Sequence, residues 1–274
     1  MEVKIIIDST VDLPEERKAQ FLTVPLTVRF GAEEYKDGVT ISQKQFYEKL
    51  QTCQELPTTS QATPDAFMQM FEKVTQAGQS AVVLTLASKL SGTYQSAMIG
   101  AGDYENIYVV DTESATIGAG VLAELALQLA QSGMDAKSIA DRLEAEKKRV
   151  RVVALVDTLE YLKRGGRVSK TVAFAGGLLN IKPLIRVVEG QIHTVGKARG
   201  LKQGNVMLTE QVALAGGIDE SMPVLLGFTG VEETQLQKYK EDNQALQQTP
   251  YAAIGSVIGT HAGPGAVAVG FFAK

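Results

Sequence analysis

The segment Val3-Lys4-Ile5-Ile6-Ile7 is a β-branched apolar run that stops at Asp8, the pattern of a buried strand. Ala81–Leu86 (AVVLTL) and Ile107–Asp111 (IYVVD) repeat it, and Leu22–Phe30 fits a further strand. Between these runs the apolar spacing lengthens to that of a helix. Asp12-Leu13-Pro14-Glu15 predicts a helix start with Asp as cap and Pro early. Ser42 caps a helix through about Leu50, another begins near Pro64, and Ser91-Gly92 opens a third. Helices over Ser114–Gln131 and Asp135–Arg149 follow. Strands separated by amphipathic helices imply βαβ units and a parallel sheet.

The pattern changes near residue 150. Val150–Asp157 reads as a strand, and TLEYLKRGG as a short helix closed by glycine. Pro183–Val188 and Gln191–Lys197 form a hairpin across Glu189-Gly190. A helix, a strand at Val224–Phe228, a long polar helix and two final strands complete the chain. The expectation is an α/β protein of two domains. Residues 1–150 form an N-terminal α/β domain with a parallel sheet, and residues 151–274 a C-terminal α+β domain with a mixed or antiparallel sheet. The sequence contains no internal repeat and no low-complexity segment.

Composition narrows the class. A hydrophobic fraction of 45% and a charged fraction of 21% in 274 residues suit a globular core. MEVKIIIDST lacks the apolar core of a signal peptide, and no stretch approaches the ~20 apolar residues that span a bilayer. The single cysteine, Cys53, suits a reducing compartment, so a cytoplasmic location is expected. His193, His261 and Cys53 do not have zinc-ligand spacing, and no metal site is expected.

Charge is unevenly spread. Lys163, Arg164, Arg167, Lys170, Lys182, Arg186, Lys197, Arg199 and Lys202 face one acid, Glu189, in that stretch. It therefore carries +8 and leaves −12 elsewhere, for a net −4. A solvated basic surface is the ordinary reading; a site for a phosphate or an acidic partner is the sharper one. Phe174 is the one aromatic there, too few for the stacking platforms of single-strand binders, so nucleic acid is not an expected partner.

Open α/β sheets bind ligands beyond the carboxyl ends of their strands. Four loops fit that position: Asp8-Ser9-Thr10, Thr58-Thr59-Ser60-Gln61, Ala87–Thr93 and Gly259–Gly265. Small hydroxyl side chains recur there, offering donors and acceptors. Ser91 and Gly92 at a helix start add free backbone N–H groups suited to an anion. Together these groups can seat a carboxylate; capping and turn formation are the competing employment of each Ser and Thr. His261, flanked by Gly259, Gly263 and Gly265, sits where a ligand can approach closely. Familiar enzyme patterns fail. Lys182 is followed by Pro183, so no G-x-x-x-x-G-K-S/T loop is present, and Lys89 replaces the first glycine of a G-x-S-x-G elbow at Ser91. A Ser91–His261–Asp8 hydrolase triad is conceivable from residue types, without support from spacing.

Six segments together resemble the DegV family: IIIDSTVDLP (Ile5–Pro14), TTSQATP (Thr58–Pro64), SKLSGTYQSA (Ser88–Ala97), YLKRGGRVSK (Tyr161–Lys170), LLNIKPLI (Leu178–Ile185) and GTHAGPGAVAVG (Gly259–Gly270). The fatty-acid-binding members of that family are the lipid-binding subunits of bacterial fatty acid kinase. The resemblance runs along essentially the whole chain and implies two α/β domains with a fatty acid between them, its tail in an apolar tunnel. It implies that Thr59, Ser91 and His261 hold the carboxylate, with Ser60 and Gly92 beside them. It also implies that Arg167 and Arg199 face the phosphate or the kinase. No cofactor is expected beyond the bound long-chain fatty acid. The expected partner is a fatty acid kinase catalytic subunit, and transient contact with a membrane stays open. The protein is thus expected to present substrate for acyl-phosphate formation rather than act as an enzyme. A Ser/His-dependent lipid hydrolase or acyltransferase is the alternative, and a carrier of some other amphiphile a further one. Gly200 departs from the family pattern, in which threonine more often follows Ala-Arg.

Overall fold

The computed structural model describes residues 2–102, 104–168 and 180–274. Seven strands precede Val150 among them: β1 (Val3–Asp8), β2 (Leu22–Val24), β3 (Thr27–Phe30), β4 (Glu33–Lys36), β5 (Thr58–Ser60), β6 (Ser80–Thr85) and β7 (Ile107–Asp111). Four of them make a parallel sheet in the order β2-β1-β6-β7. Every residue of β6 is buried, as expected of a central parallel strand covered on both faces.

The apolar stretch Leu22–Phe30, expected as one strand, is divided at Pro25. β2 joins the parallel sheet, whereas β3 centres a small antiparallel sheet of order β4-β3-β5. Proline has no N–H for a ladder, so the chain changes sheets there. Thr58-Thr59-Ser60, expected as a loop, is the edge strand β5, with Thr59 opposite Val28.

Six strands follow: β8 (Val150–Leu155), β9 (Ile181–Val188), β10 (Gln191–Arg199), β11 (Leu225–Phe228), β12 (Tyr251–Ala253) and β13 (Val267–Phe272). They form a mixed sheet of order β10-β9-β8-β13-β11-β12, in which β11 and β12 alone run parallel. The expected hairpin is β9–β10. Its turn residues Glu189 and Gly190 both have positive φ, 47° and 73°, the backbone of a type I′ turn that matches strand twist.

No strand pairs across residue 150 among the described residues, yet the two sheets share a core. Helix Thr116–Gln131 packs on β1 and β6 of one sheet and on β8, β11 and β13 of the other. Residues 116–127 are all buried. That accounts for its Ala/Leu-rich sequence, since a helix wedged between layers has no solvent face to mark with charge.

Two expected helix ends differ. Asp12 caps nothing: helix Glu15–Lys18 is preceded by Pro14 without a side-chain cap, and Asp12 is buried, bonded to Thr116 and Gly255. Gly259–Gly265, expected as a loop, begins inside helix Ser256–Ala262, so His261 rides on a last helical turn. Glycines weaken helix propensity enough to hide a seven-residue helix from sequence reading. Lys170 and Phe174 lie outside the described residues.

Candidate functional site

A cavity of about 440 Å³ lies between the two sheets. One wall is the inner face of the mixed sheet, where Val152 and Ala154 of β8 alternate inward beside Ile185 and Val187 of β9. The other wall carries Leu86, Leu90, Val257 and Ile258. Most of the lining is apolar, and five of its residues that offer polar groups come from three elements.

β5 supplies Thr59 and Ser60, the loop before helix Thr93–Ala101 supplies Ser91 and Gly92, and helix Ser256–Ala262 supplies His261; all five line the cavity. Thr59 Oγ1 and His261 Nε2 are hydrogen-bonded at 2.9 Å. Ser91 Oγ lies 2.9 Å from Thr93 Oγ1 and accepts from the Thr93 N–H at 3.3 Å. Arg167 also lines the cavity. It donates from Nη1 to the Gly165 carbonyl at 2.6 Å and from Nε to the Leu90 carbonyl at 3.3 Å.

Burial, and secondarily the Arg167 charge, lowers the His261 pKa to about 4. The ring is therefore neutral near pH 7 and carries one N–H. Nδ1 is buried with no hydrogen-bond partner among the described residues, packed where a side chain on Gly165 would collide with it. The proton accordingly belongs on Nε2, donated to Thr59 Oγ1. The Thr59 hydroxyl hydrogen is then left to point at an acceptor in the cavity. A carboxylate is such an acceptor, and Arg167 adds a positive charge nearby.

Two further residues complete the cradle. Gln61 was noted within its loop, but not as a site residue. Its Nε2 donates to Ser96 Oγ at 2.9 Å, and its amide fills the space a side chain at Gly92 would need. Gly165 gives way to His261 in the same manner. Only the sequence string TTSQ hinted at the first, and nothing signalled the second.

Several expected groups lie elsewhere. Arg199 is exposed at the end of β10, its N–H bonded to Gln203 Oε1 at 2.7 Å, and it does not line the cavity. Gly200 follows it with φ of 76°, a conformation threonine adopts only with strain, so glycine suits the backbone of this chain there. The loop Asp8-Ser9-Thr10 is not part of the cavity wall. Asp8 accepts from the Thr10 and Leu86 N–H groups, 2.8 and 2.7 Å away, and Ser9 Oγ accepts from the Leu26 N–H at 3.0 Å. The hydrolase triad is consequently unassembled, because Ser91 bonds Thr93, His261 bonds Thr59, and Asp8 serves backbone.

Among the described residues the basic stretch is not one patch. Arg164 pairs with Glu160, Lys182 with Asp157, and Arg186 bonds Gln211. Apart from Arg167, which follows helix Glu160–Arg164 in a loop, the described members sit on that helix, β9, β10 and helix Gly200–Leu214, whose directions disperse them. Among the described residues, Arg167 is the member of the stretch that reaches the cavity. No group of three or more His, Cys, Asp or Glu is placed to hold a metal among the described residues, and no helix there is long and apolar enough to cross a membrane.

The fold and site define a class: an α/β protein with a mostly apolar cavity between its two larger sheets, beside a hydroxyl–imidazole cluster. Residues 2–274 match the family model described as "Uncharacterised protein, DegV family". A DegV domain-containing protein of Caldanaerobacter subterraneus subsp. tengcongensis is 33% identical over 279 residues, covering 100% of this chain and 99% of that one. The solved structure of a DegV family protein from Thermus thermophilus, described by its fatty acid binding, superposes with a TM-score of 0.89 at 29% identity, covering 100% of both chains. A stearic acid-binding protein from Eubacterium ventriosum gives a TM-score of 0.87 at 27% identity, over 98% of this chain and 97% of that one. The chain belongs to the DegV family.

Proposed function

We propose that this protein binds one long-chain fatty acid in the cavity and presents its carboxylate to a partner kinase for acyl-phosphate formation, feeding phospholipid synthesis. The observation that carries the reading is the Thr59–His261 hydrogen bond in the wall of a mostly apolar cavity that Ser91 and Arg167 also line. The fatty-acid-binding structures of its relatives support the same ligand. The cavity lies between residues 1–150 and 151–274, which we take as the two domains, and the protein works in the cytoplasm.

Burying methylenes is worth ~0.8 kcal/mol each, so a chain of about 16 carbons gains on the order of 11–12 kcal/mol gross. Lost translational freedom and chain ordering remove roughly 4–15 kcal/mol. Tight but reversible binding follows. A buried carboxylate is strongly unfavourable without donors; Thr59, Ser91 and the Gly92 N-terminus offset that cost while His261 orients Thr59. Once phosphate is added the charge grows, and Arg167 meets it better than neutral hydroxyls. Arg199, exposed and outside the cavity, suits contact with the kinase itself. The protein supplies no catalytic group of its own in this scheme.

Denaturing extraction of the purified recombinant protein followed by mass spectrometry tests the reading. Intact free long-chain fatty acid near one equivalent is expected. An empty extract, or a lipid without a free carboxyl group, would refute it, and a covalent adduct of Ser91 with a serine-reactive probe would favour the hydrolase.

A further inference from the structure

Helix Ser256–Ala262 brings His261 to the cavity, so whatever fixes its first residues fixes the cradle. Those residues are held by two carboxylates from distant parts of the chain. The Gly255 N–H donates to Asp12 Oδ1 at 2.8 Å. The Ser256 N–H donates to Asp37 Oδ1 at 3.1 Å, and the Ser256 hydroxyl bonds the same oxygen. A methyl group built on Gly255 would lie 3.3 Å from Asp12 Oδ1 and 3.5 Å from each Asp37 oxygen. Two acids therefore converge on one backbone step.

Both are 5% exposed, and neither has an ion-pair partner among the described residues. Asp37 Oδ2 is buried without any hydrogen-bond partner there. Asp12 Oδ2 accepts from Thr116 Oγ1 at 2.6 Å, and Thr116 is a β-branched residue with φ of 50° that also lines the cavity. Its strained backbone is retained where that hydrogen bond and the start of helix Thr116–Gln131 coincide. The groups facing the pair are Lys18 and Tyr47 toward Asp12, and Asp8, Tyr47, the Ser9 hydroxyl and the Val257 N–H toward Asp37, the last two favouring its charged form. Asp8 accepts from three donors, the Thr10 hydroxyl and the N–H groups of Thr10 and Leu86, and burial raises its pKa as it does those of the pair.

Ionising both carboxylates in such a site, with no ion-pair partner beside them, is strongly unfavourable. We propose that Asp12 and Asp37 are positioning residues: with one proton between them they pin Gly255 and Ser256, and so set where His261 meets Thr59. Removing that proton sets two buried charges against each other across one backbone step. The start of the helix then shifts and the Thr59–His261 contact loosens. The direction agrees with burial raising both acids, Asp12 to about 7. The pair titrates as a unit, so the midpoint belongs to both residues. The consequence for the ligand rests on the fatty acid reading above; the effect on His261 does not.

Selective ¹⁵N labelling of histidine tests the positioning directly, because the chain has only 2 histidines. In the intact protein without lipid, the His261 ring signals should move between about pH 6 and 8, well above the ring's own protonation near about 4. Asp12→Asn, which mimics the protonated acid, should hold them still while leaving the circular dichroism spectrum unchanged. Retention of parinaric acid should fall with rising pH in the wild type, by at most tenfold per pH unit for one proton, and less steeply in Asp12→Asn. Wild-type ring signals that stay flat across this range, or identical profiles in the two proteins, overturn the proposal. Should Asp12→Asn fail to fold, Ser256→Ala replaces it: losing one donor to Asp37 must displace the midpoint, and an unmoved midpoint is equally fatal. A wild type that binds no fatty acid at any pH instead defeats the fatty acid reading, and leaves the ring measurement to judge the pair.

Discussion

Thr59 Oγ1 lies 2.9 Å from His261 Nε2 although 202 positions separate them in the chain. One sits on the edge strand of the small antiparallel sheet and the other on the helix before β13, so this contact forms only when both halves of the protein are in place. Thr59→Val removes the hydroxyl at nearly constant volume and leaves Nε2 without an acceptor. A hydrogen bond to a charged group is worth about 1.5–3 kcal/mol, so fatty acid affinity should fall about ten- to hundredfold. Thr59→Ser should recover most of it. Competition against a fluorescent fatty acid measures both, and wild-type affinity in Thr59→Val would remove this residue from the cradle.

Gly165→Ala should damage the site without removing any polar group. The added methyl collides with Nδ1 of His261, whose ring is enclosed. Overpacking of this kind costs about 1–3 kcal/mol. Either the melting temperature drops or the ring swings away from Thr59 and affinity falls. A variant with both properties intact would show that the imidazole has more room than its packing indicates.

Ala154→Phe places a large side chain into the cavity from the wall of β8. Filling an open cavity avoids the strain of inserting bulk into a packed core. The variant should remain folded, with a thermal midpoint at or above that of the lipid-free wild type, and yield no fatty acid on denaturing extraction. A full complement of lipid would mean that the acyl chain runs elsewhere.

Strand and helix positions were legible wherever the apolar pattern was continuous. β1, β6 and β7 coincide with β-branched runs, and the Glu189-Gly190 turn announced its hairpin through its residue types. Reading failed where long-range pairing decides conformation. Thr58–Ser60 is polar and short, and becomes a strand only because β3 lies beside it. Asp12 has the look of a cap, but its partners Thr116 and Gly255 are 104 and 243 residues away. The cradle was foreseeable as residue types and family motifs, not as a geometry: Gly165, Gln61 and the Asp12–Asp37 pair act through packing that one-dimensional spacing does not encode. The +8 stretch reads as one patch only in sequence, since its described members diverge once they enter strands and helices and Arg167 is the one that reaches the cavity.

The depressed pKa of His261 has a thermodynamic signature. A ring that protonates near about 4 when folded and near 6.5 when unfolded stabilises the fold fully above pH 6.5. As the pH falls from 6.5 toward 4, the unfolded chain takes up the proton first and stability is lost, by roughly 3 kcal/mol at the end of the window. Asp12 has the opposite slope, since its raised folded pKa makes stability fall as pH rises through about 7. The histidine contribution is therefore read as a difference. Denaturant unfolding of wild type and His261→Gln between about pH 4 and 7 should show their stability gap changing in favour of the variant as the pH is lowered. Parallel curves would place the ring in contact with solvent.

The two arginines should separate by assay. Arg167 faces His261 and the cavity, where its remaining donors can meet a phosphate attached to the carboxylate, while its Nη1 and Nε already hold the Gly165 and Leu90 carbonyls. Loss of one such charge-stabilising group costs about 10²–10³ in turnover, so Arg167→Ala should lower acyl-phosphate formation by that order with a purified kinase and ATP. Lipid retention should change by no more than about fivefold, as for a modest ion contact, and the His261 pKa should rise once the neighbouring charge is gone. Arg199→Ala should leave lipid retention and the ring untouched, because the residue is exposed and outside the cavity. Its effect should appear as a raised kinase concentration for half-maximal rate. Equal loss of lipid and turnover in Arg167→Ala would assign that guanidinium to the carboxylate itself, and an Arg199→Ala protein indistinguishable from wild type would move the docking surface elsewhere.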